Sequence, residues 1–199
     1  MIQSLCIYCG SATGIQPAYA QAARALARAM VDANIALVYG GGNIGLMGVI
    51  ATEVMQRGGT ATGIIPKALL DKEIGHIGLT RLHIVDNMHE RKALMMELSD
   101  GFIAMPGGVG TLEELFEVFT WYQIGLHNKP IGLLNVAGFY DGLVDFLRHQ
   151  VEQGFLRAPQ ADFLINEAEP VMLLARIRAY VPAFYDKFLD PATASQIVP

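Results

Sequence analysis

The chain has 199 residues, enough for one domain with a sizeable core. Hydrophobic residues make up 52% of the sequence and charged residues 17%, a balance that excludes an intrinsically disordered chain. The net charge of −5 argues against a nucleic-acid-binding protein, which needs a basic surface.

The apolar residues do not indicate a membrane protein. No uninterrupted apolar stretch reaches the roughly 18 residues of a spanning helix, and the start of the chain lacks the features of a signal peptide. We therefore expect a soluble, cytoplasmic protein without membrane or nucleic-acid partners, with surplus apolar surface buried between subunits. We predict one domain over residues 1–189 and a loosely held tail over residues 190–199.

Short apolar runs alternate with amphipathic ones along the chain. The apolar runs predict strands over Leu5–Cys9, Ala36–Tyr39, Thr60–Ile65, Arg81–Val85, Gly101–Met105, Pro130–Asn135 and Phe163–Ile165. Helical spacing predicts a helix that begins near Pro17 and stops at Asn34, and others over Gly45–Arg57, Met88–Leu98, Leu112–Ile124, Tyr140–Gln153 and Pro170–Tyr180. The longest irregular connection is Pro66–Gly78, where we expect ligand contacts.

Apolar strands that alternate with helices are typical of the α/β class. They predict a doubly wound, mostly parallel sheet with helices on both faces, which is a Rossmann-like fold. In such sheets ligands bind at the carboxyl ends of the strands. The turns that follow strands are therefore the candidate positions for a site.

The cysteines, Cys6 and Cys9, match the C-x-x-C spacing of redox motifs. Redox pairs of this kind start a helix, where a thiolate is stabilised, whereas these two residues follow one another along an apolar strand. Three residues along a strand place their side chains on opposite faces of the sheet. A structural role is the better interpretation.

The segment Met105–Leu115 puts a glycine-rich turn between an apolar strand and an amphipathic helix. Such turns direct backbone N–H groups to a helix N-terminus, where phosphates and other anions bind. Two acids, Glu113 and Glu114, follow at once. Because neighbouring helical side chains diverge by about 100°, we expect one acid to face the ligand and the other to brace the turn.

A second glycine-rich turn, Tyr39–Gly48, follows the second predicted strand. Gly40, Gly42 and Gly45 match the G-x-G-x-x-G pattern of dinucleotide sites. The next strand leads to Lys67 where that site needs an acid, so the match is weak, and neither turn has the Gly-Lys-Ser/Thr of a P-loop. Tight packing and ligand binding both explain this turn, and the two turns together favour a phosphorylated small molecule.

Arg91 and Lys92 lie in the first turn of a predicted helix at the same edge of the sheet. Cations there oppose the helix dipole, which makes a purely solvent-exposed role less attractive. Arg91 can hold a phosphate or lie over a base, but its guanidinium stays protonated, so a carboxylate must move any proton. No His, Cys or acidic cluster has metal-ligand spacing.

These motifs resemble a known family. The run Pro106–Glu114 matches the P-G-G-x-G-T-x-x-E signature of the LOG (Lonely Guy) proteins, often labelled lysine decarboxylase-like. Arg91-Lys92, Gly40–Gly48 and Cys9-Gly-Ser11 match other family motifs in order, and the resemblance covers most of the chain. It implies a Rossmann-like homodimer, with sites near the subunit interface, that hydrolyses the N-glycosidic bond of cytokinin riboside 5′-monophosphates and often of AMP. The products would be the free base and ribose 5-phosphate.

The resemblance also implies roles for individual positions. Arg91 and Glu114 would be the catalytic pair, and neither a cofactor nor a metal would take part. The nucleotide would be lined by Ser11, Gly41, Gly42, Met47, Glu73, Met88, Lys92, Pro106, Gly107, Gly108, Gly110, Thr111, Glu113 and Thr120.

Two other functions explain parts of the sequence. An amino-acid decarboxylase needs an electron sink such as pyridoxal phosphate, held through a lysine Schiff base. Of the five lysines, only Lys92 lies near a predicted phosphate cradle. A non-catalytic nucleotide-binding or carrier protein would use the same fold, but the combination of Arg91 and Glu114 exceeds what simple binding needs.

Overall fold

A computed structural model describes residues 1–70, 75–76 and 78–182 of the chain. The strands are β1 (Ser4–Tyr8), β2 (Ala36–Tyr39), β3 (Ala61–Pro66), β4 (Arg81–Val85), β5 (Phe102–Ala104), β6 (Ile131–Leu134) and β7 (Ile165–Glu167). The helices are α1 (Pro17–Asp32), α2 (Gly45–Gln56), α3 (Lys67–Leu70), α4 (Met88–Glu97), α5 (Val109–Gln123), α6 (Asp141–Glu152), α7 (Ala158–Ala161) and α8 (Pro170–Ala179). The predicted alternation of strands and helices is therefore confirmed.

The strands form one sheet in the order β4-β3-β2-β1-β5-β6-β7. Each neighbouring pair is parallel, so the sheet is parallel throughout its described strands rather than mostly parallel. β2 lies on one side of β1 and β5 on the other, and the order of connection reverses between them. A switch point of this kind leaves a crevice at the carboxyl ends of its two strands.

Helices and a hydrophobic core cover each face of the sheet. α1, α2 and α8 lie over one face, where strand residues such as Leu37 and Ile103 point. α4, α5 and α6 lie over the other face, with strand residues such as Val38 and Phe102. Alternate side chains of one strand thus enter different cores, which explains why the strands read as continuous apolar runs.

Cys6 and Cys9 lie on opposite faces of the sheet, as their spacing predicts. Cys9 packs in the core beneath α1 and α2, and Cys6 in the core beneath α4 and α5. Both are buried free thiols. Burial raises the pKa of each thiol, so neither forms a reactive thiolate near neutral pH.

Most predicted boundaries differ from the structure by about one residue, and two elements differ by more. α5 begins at Val109 rather than at residue 112. Its first turn contains Gly110, and the backbone N–H groups of this turn have no partner within the helix. The apolar pattern therefore did not reveal that this turn is helical. The last strand is Ile165–Glu167 rather than Phe163–Ile165. The register of this strand follows the pairing of Ile165 with Gly132 in β6. Because the strand contains polar residues, the search for apolar runs did not find its end.

The connection predicted as irregular between Pro66 and Gly78 begins with the helical turn α3. Part of this connection, and the predicted tail over residues 190–199, lie outside the described residues. No helix within the described ranges is both long enough and apolar enough to cross a bilayer.

Candidate functional site

A cavity of about 370 Å³ opens at the carboxyl ends of β1 and β5, at the switch point of the sheet. This volume is within the range of roughly 300–1,000 Å³ for small-ligand sites. The walls come from the turns after these strands and from the starts of α2, α4 and α5, together with α3. The lining residues are Cys9, Gly10, Ser11, Met47, Leu69, Met88, Arg91, Gly108, Val109, Gly110, Thr111, Glu113 and Glu114.

The first turn of α5 contributes exposed backbone to this cavity. Gly108 precedes the helix and has no side chain that could cap it. The N–H groups of Val109, Gly110 and Thr111 lie in the first turn, where backbone donors have no partner within the helix, and no capping side chain accepts from them. A Cβ atom at Gly108 or Gly110 would meet no atom within 4 Å. The cavity therefore reaches the helix N-terminus directly, in the position where anions bind.

The turn before α5 lies against the end of β1. The Gly10 N–H donates to the Pro106 carbonyl over 3.1 Å. A Cβ atom at Gly107 would overlap the Thr111 side chain and crowd the Gly10 nitrogen. Glycine at position 107 thus permits the close approach of the two turns, and this approach places the open end of α5 beside β1.

Arg91 enters the cavity from the first part of α4. Asn87 caps this helix by accepting the Glu90 N–H over 2.9 Å, and Glu90 accepts the Asp86 N–H over 3.0 Å. Arg91 is 6% exposed. Its Nη2 donates to the Gly40 carbonyl over 3.0 Å, and its Nε has no hydrogen-bond partner among the described residues. A buried guanidinium with a spare donor is suited to bind an anionic or strongly polar group.

Lys92 joins α4 to α5 beside the cavity. Its Nζ lies 2.5 Å from Glu113 Oε1 and 2.8 Å from Glu117 Oε1. Burial on its own lowers the pKa of Lys92, but the hydrogen bonds of the two carboxylates outweigh burial and raise it. The ammonium group is therefore charged at neutral pH.

Glu114 borders the cavity next to Glu113, and its charge acts on the end of β1. Burial is the main cause that raises the pKa of Cys9, and the Glu114 carboxylate raises it further. The same carboxylate contributes to the raised pKa values of Cys6 and Tyr8, again after burial. The Glu114 carboxylate therefore lies within electrostatic range of the end of β1.

The turn after β2 is attached to the described part of the connection that follows α3. The Gly41 carbonyl accepts the His76 N–H over 3.1 Å, and Gly42 pairs with Gly75 in an antiparallel bridge. These backbone contacts use both glycines for packing. Met47, which follows them at the start of α2, does border the cavity.

Comparisons with known proteins agree with this arrangement. A family model described as "Possible lysine decarboxylase" matches residues 47–177. The cytokinin riboside 5′-monophosphate phosphoribohydrolase LOG2 of Arabidopsis thaliana is 45% identical over 186 residues, covering 94% of this chain and 87% of that protein. The chain belongs to the LOG family. The cytokinin riboside 5′-monophosphate phosphoribohydrolase LOG of Oryza sativa subsp. japonica is 44% identical over 180 residues, covering 90% of this chain and 74% of that protein.

A solved structure outside the close LOG relatives shares the fold. The Moco carrier protein from Chlamydomonas reinhardtii matches with a TM-score of 0.67 over 90% of this chain and 97% of that one, at 14% sequence identity. At so low an identity the likeness concerns the fold alone. It agrees with the predicted Rossmann-like architecture of the LOG family.

Many of the predicted LOG site residues meet in the cavity. The lining includes the predicted catalytic pair, Arg91 and Glu114. It also includes the predicted substrate-binding residues Ser11, Met47, Met88, Gly108, Gly110, Thr111 and Glu113. A second cavity of about 220 Å³ adjoins it, shares Gly10, Ser11 and Gly108, and is lined by the predicted Pro106 and Gly107.

Four other predicted residues that the structure describes do not line the cavity. Lys92, Gly41 and Gly42 are not among the described lining residues. Thr120 is exposed on α5, nine residues beyond Thr111 and thus about 14 Å further along the helix. Glu73 lies outside the described residues.

Sequence reasoning missed four lining residues and one partner of Lys92. The lining residues are Cys9, Gly10, Leu69 and Val109, and the partner is Glu117. Leu69 lies in the connection predicted as irregular and belongs to no motif, so no signal pointed to it. Glu117 follows Glu113 by one helical turn, a spacing at which two acids can share one cation. That signal is present in the sequence.

The decarboxylase description of the LOG family model does not fit this cavity. A Schiff-base lysine must first lose its proton, whereas two carboxylates keep Lys92 protonated. Within the described ranges, no group of three or more His, Cys, Asp or Glu side chains is arranged to hold a metal ion.

Proposed function

We propose that this protein hydrolyses the N-glycosidic bond of nucleoside 5′-monophosphates, with cytokinin riboside 5′-monophosphates and AMP as substrates. The products are the free base and ribose 5-phosphate. The observation that carries the proposal is a single cavity that combines the open N-terminus of α5 with Arg91 and Glu114. The LOG relatives are named phosphoribohydrolases of cytokinin riboside 5′-monophosphates.

The first turn of α5 would bind the 5′-phosphate. The N–H groups of Val109, Gly110 and Thr111 supply donors and the positive end of the helix dipole. Local donors of this kind are needed because the chain as a whole is acidic, with a net charge of −5. Arg91, buried with a spare Nε–H at the same cavity, adds a fixed positive charge for the nucleotide.

Glu114 would act at the ribose. As the bond from C1′ to the base breaks, its electron pair goes to the base and positive charge develops on C1′ and the ring oxygen. A carboxylate close by stabilises that charge and orients a water molecule. The water oxygen bonds to C1′, and the proton balance is completed by protonation of the base. Arg91 stays protonated and stabilises negative charge as the base leaves.

The protein would act as a homodimer with the cavity near the subunit interface. Val109 is 83% exposed at the cavity wall, and Met88 is also exposed there. The edge strand β4 exposes Leu82 and Ile84 just before α4, and exposed apolar groups of this extent are typical of interfaces. Light scattering should give twice the chain mass for the wild type and a lower mass for Ile84→Glu. A monomeric wild type would contradict the dimer.

The reaction is tested by incubating the purified protein with AMP and, separately, with isopentenyladenosine monophosphate. Chromatography should detect adenine or isopentenyladenine together with ribose 5-phosphate, and lysine offered in parallel should be left unchanged. Tight binding of AMP without release of base would instead support a non-catalytic nucleotide-binding protein.

Glu114→Gln tests the proposed carboxylate. We expect kcat to fall by about 10²–10⁴-fold, the range for one acid–base group. The matched control is Glu152→Gln on α6, which removes an exposed carboxylate and should leave kcat unchanged. Equal rates for Glu114→Gln and the wild type would show that Glu114 does not perform this role.

A further inference from the structure

One buried cation and two carboxylates connect α4 to α5 beside the cavity. We call Lys92, Glu113 and Glu117 the α4–α5 clamp. Lys92 is 9% exposed, and its ammonium group contacts both carboxylates. The Glu113 side chain is 50% exposed and the Glu117 side chain 22% exposed. Glu117 is therefore the more buried anion of the two, and it is not among the described residues that line the cavity.

The clamp residues are the chain neighbours of the proposed catalytic pair. Lys92 follows Arg91 on α4, and Glu113 precedes Glu114 on α5. Both members of the pair border the cavity. Any shift of α4 relative to α5 therefore changes the separation of the Arg91 and Glu114 side chains.

The two contacts that Lys92 makes on α5 restrain the rotation of this helix as well as its distance from α4. Glu113 and Glu117 lie one turn apart on the same side of the helix, so a single ammonium group bound to both opposes rotation of α5 about its axis. Glu114 projects about 100° away from Glu113. Given a helix radius of about 6 Å with side chains, a 20° rotation of α5 would move the Glu114 side chain by about 2 Å.

Fold stability alone does not explain such a clamp. Removing charges from water is costly, and well-packed apolar residues in place of a buried ion pair are often as stabilising. The charged groups add geometric specificity, because each hydrogen bond fixes the positions of two side chains relative to each other. A displacement of about 1 Å at reacting groups can reduce a rate about 100-fold, so accurate placement of Glu114 has a large effect.

We propose that Glu117, acting through Lys92, is a positioning residue that fixes the separation of Arg91 and Glu114 across the cavity. This inference rests on the proposed nucleotide hydrolysis. It also gives Lys92 a role different from direct contact with the nucleotide. Glu113 completes the clamp at the cavity wall and transmits the position of Lys92 to the first turns of α5.

The first test measures AMP hydrolysis by Glu117→Gln, which retains the size and a hydrogen-bonding oxygen of the side chain but removes its charge. We expect kcat to fall by at least about 10-fold, KM to stay within about 3-fold, and the thermal midpoint to stay within a few degrees. Glu152→Gln on α6 makes the same chemical change at an exposed site and should match the wild type. An unchanged kcat in Glu117→Gln would overturn the proposal, whatever happens to KM or to the thermal midpoint.

A double-mutant cycle with Lys92→Met separates the clamp from independent local effects. If Glu117 acts through Lys92, the double variant should be no slower than about the slower single variant, because the two changes remove one connection. Multiplicative losses in kcat would show that Glu117 acts by another route and would overturn the proposal.

A second measurement does not depend on catalysis. The buried Nε–H of Arg91 gives an arginine resonance that Arg91→Lys would remove and so identify. Its exchange with solvent should be at least about 10-fold faster in Glu117→Gln, because loss of the clamp opens the cavity around Arg91. Unchanged exchange would overturn the positioning role. If the wild type releases no base at all, the proposed function fails, and this exchange rate still decides the clamp.

Discussion

The two glycine-rich turns have similar composition but opposite surroundings. In the turn after β2, a Cβ atom at Gly40 would overlap the Arg91 guanidinium, and one at Gly45 would overlap the Ser11 backbone. In the turn before α5, Cβ atoms at Gly108 and Gly110 would meet nothing within 4 Å. In the turn after β2, neighbouring atoms fill the space that these side chains would need. The turn before α5 packs closely at Gly107, but at Gly108 and Gly110 it presents bare backbone to a cavity.

This difference shows that glycine serves two separate purposes in one site. The turn after β2 provides close packing and holds Arg91 by its Gly40 carbonyl. The turn before α5 provides access to backbone N–H groups. A pattern of glycines in the sequence cannot distinguish these purposes, whereas substitution by alanine can. An added methyl group should destabilise the turn after β2, and in the turn before α5 it should obstruct the cavity.

The largest effect is expected for Gly45→Ala. Gly45 has φ of +60°, where alanine is strained, and the methyl group would overlap backbone atoms of the turn after β1. We expect a loss of about 2–4 kcal/mol in the free energy of unfolding, measured by denaturant titration. Gly142→Ala on α6, where a Cβ atom has open space, is the control and should be neutral or stabilising. Equal unfolding free energies of the two variants would contradict the close packing that we assign to the turn after β2.

A smaller effect, on binding rather than folding, is expected for Gly110→Ala. The added methyl group has no protein neighbour and favours the helix by up to about 1 kcal/mol, so the unfolding free energy should not decrease. Because Gly110 lines the cavity, we expect about 10-fold weaker AMP binding by calorimetry, equal to about 1.4 kcal/mol. A variant that is less stable but binds AMP normally would indicate that Gly110, like Gly107, serves packing.

The smallest effect concerns pH and the other end of α5. His127 Nε2 donates to the Val118 carbonyl, and its Nδ1 accepts the Lys129 N–H, so the neutral ring uses both nitrogens. Burial, with a further contribution from the Lys129 charge, lowers the pKa of His127. The unfolded chain thus binds a proton first as the pH falls. The stabilisation is complete above about pH 6.5 and is lost as the pH falls through the lower folded-state pKa.

We expect this effect of pH on the stability of the fold and not on the open turn before α5. Between pH 7 and pH 5 the thermal midpoint of the wild type should fall by about 2 °C more than that of His127→Gln. The comparison uses differential scanning calorimetry at several pH values. Parallel pH dependences of the two proteins would mean that protonation of His127 is not coupled to folding.

The fold was predictable because the core determines it. Both faces of the sheet are buried, so the strands form continuous apolar runs that are easy to recognise. β7 was misplaced by two residues because it is an edge strand whose register depends on β6. The spacing of Cys6 and Cys9 was enough to predict their opposite faces, since strand geometry is local.

The candidate site was predictable only where a motif determines the backbone. The open turn at Gly108 follows from the order of strand, glycines and helix. The partners of Lys92 do not, because they depend on how α4 packs against α5, and Lys92 and Glu113 are 21 positions apart. The predicted role of Lys92 as a ligand contact stays a prediction, as do the roles of Thr120 and Glu73.

The contact between Gly40 and Arg91 connects the turn after β2 to the cavity beside the turn before α5. A change at Gly40 would therefore act on the proposed chemistry by moving Arg91. Any residue other than glycine at position 40 would place its Cβ atom where the guanidinium lies, while leaving the first turn of α5 unaltered. Such a chain would keep the whole P-G-G-x-G-T signature and the proposed anion site, yet hold its arginine elsewhere. Under the proposed function, recognition of phosphate and cleavage of the nucleotide would thus be separable by one methyl group, at a position far in the sequence from the P-G-G-x-G-T signature.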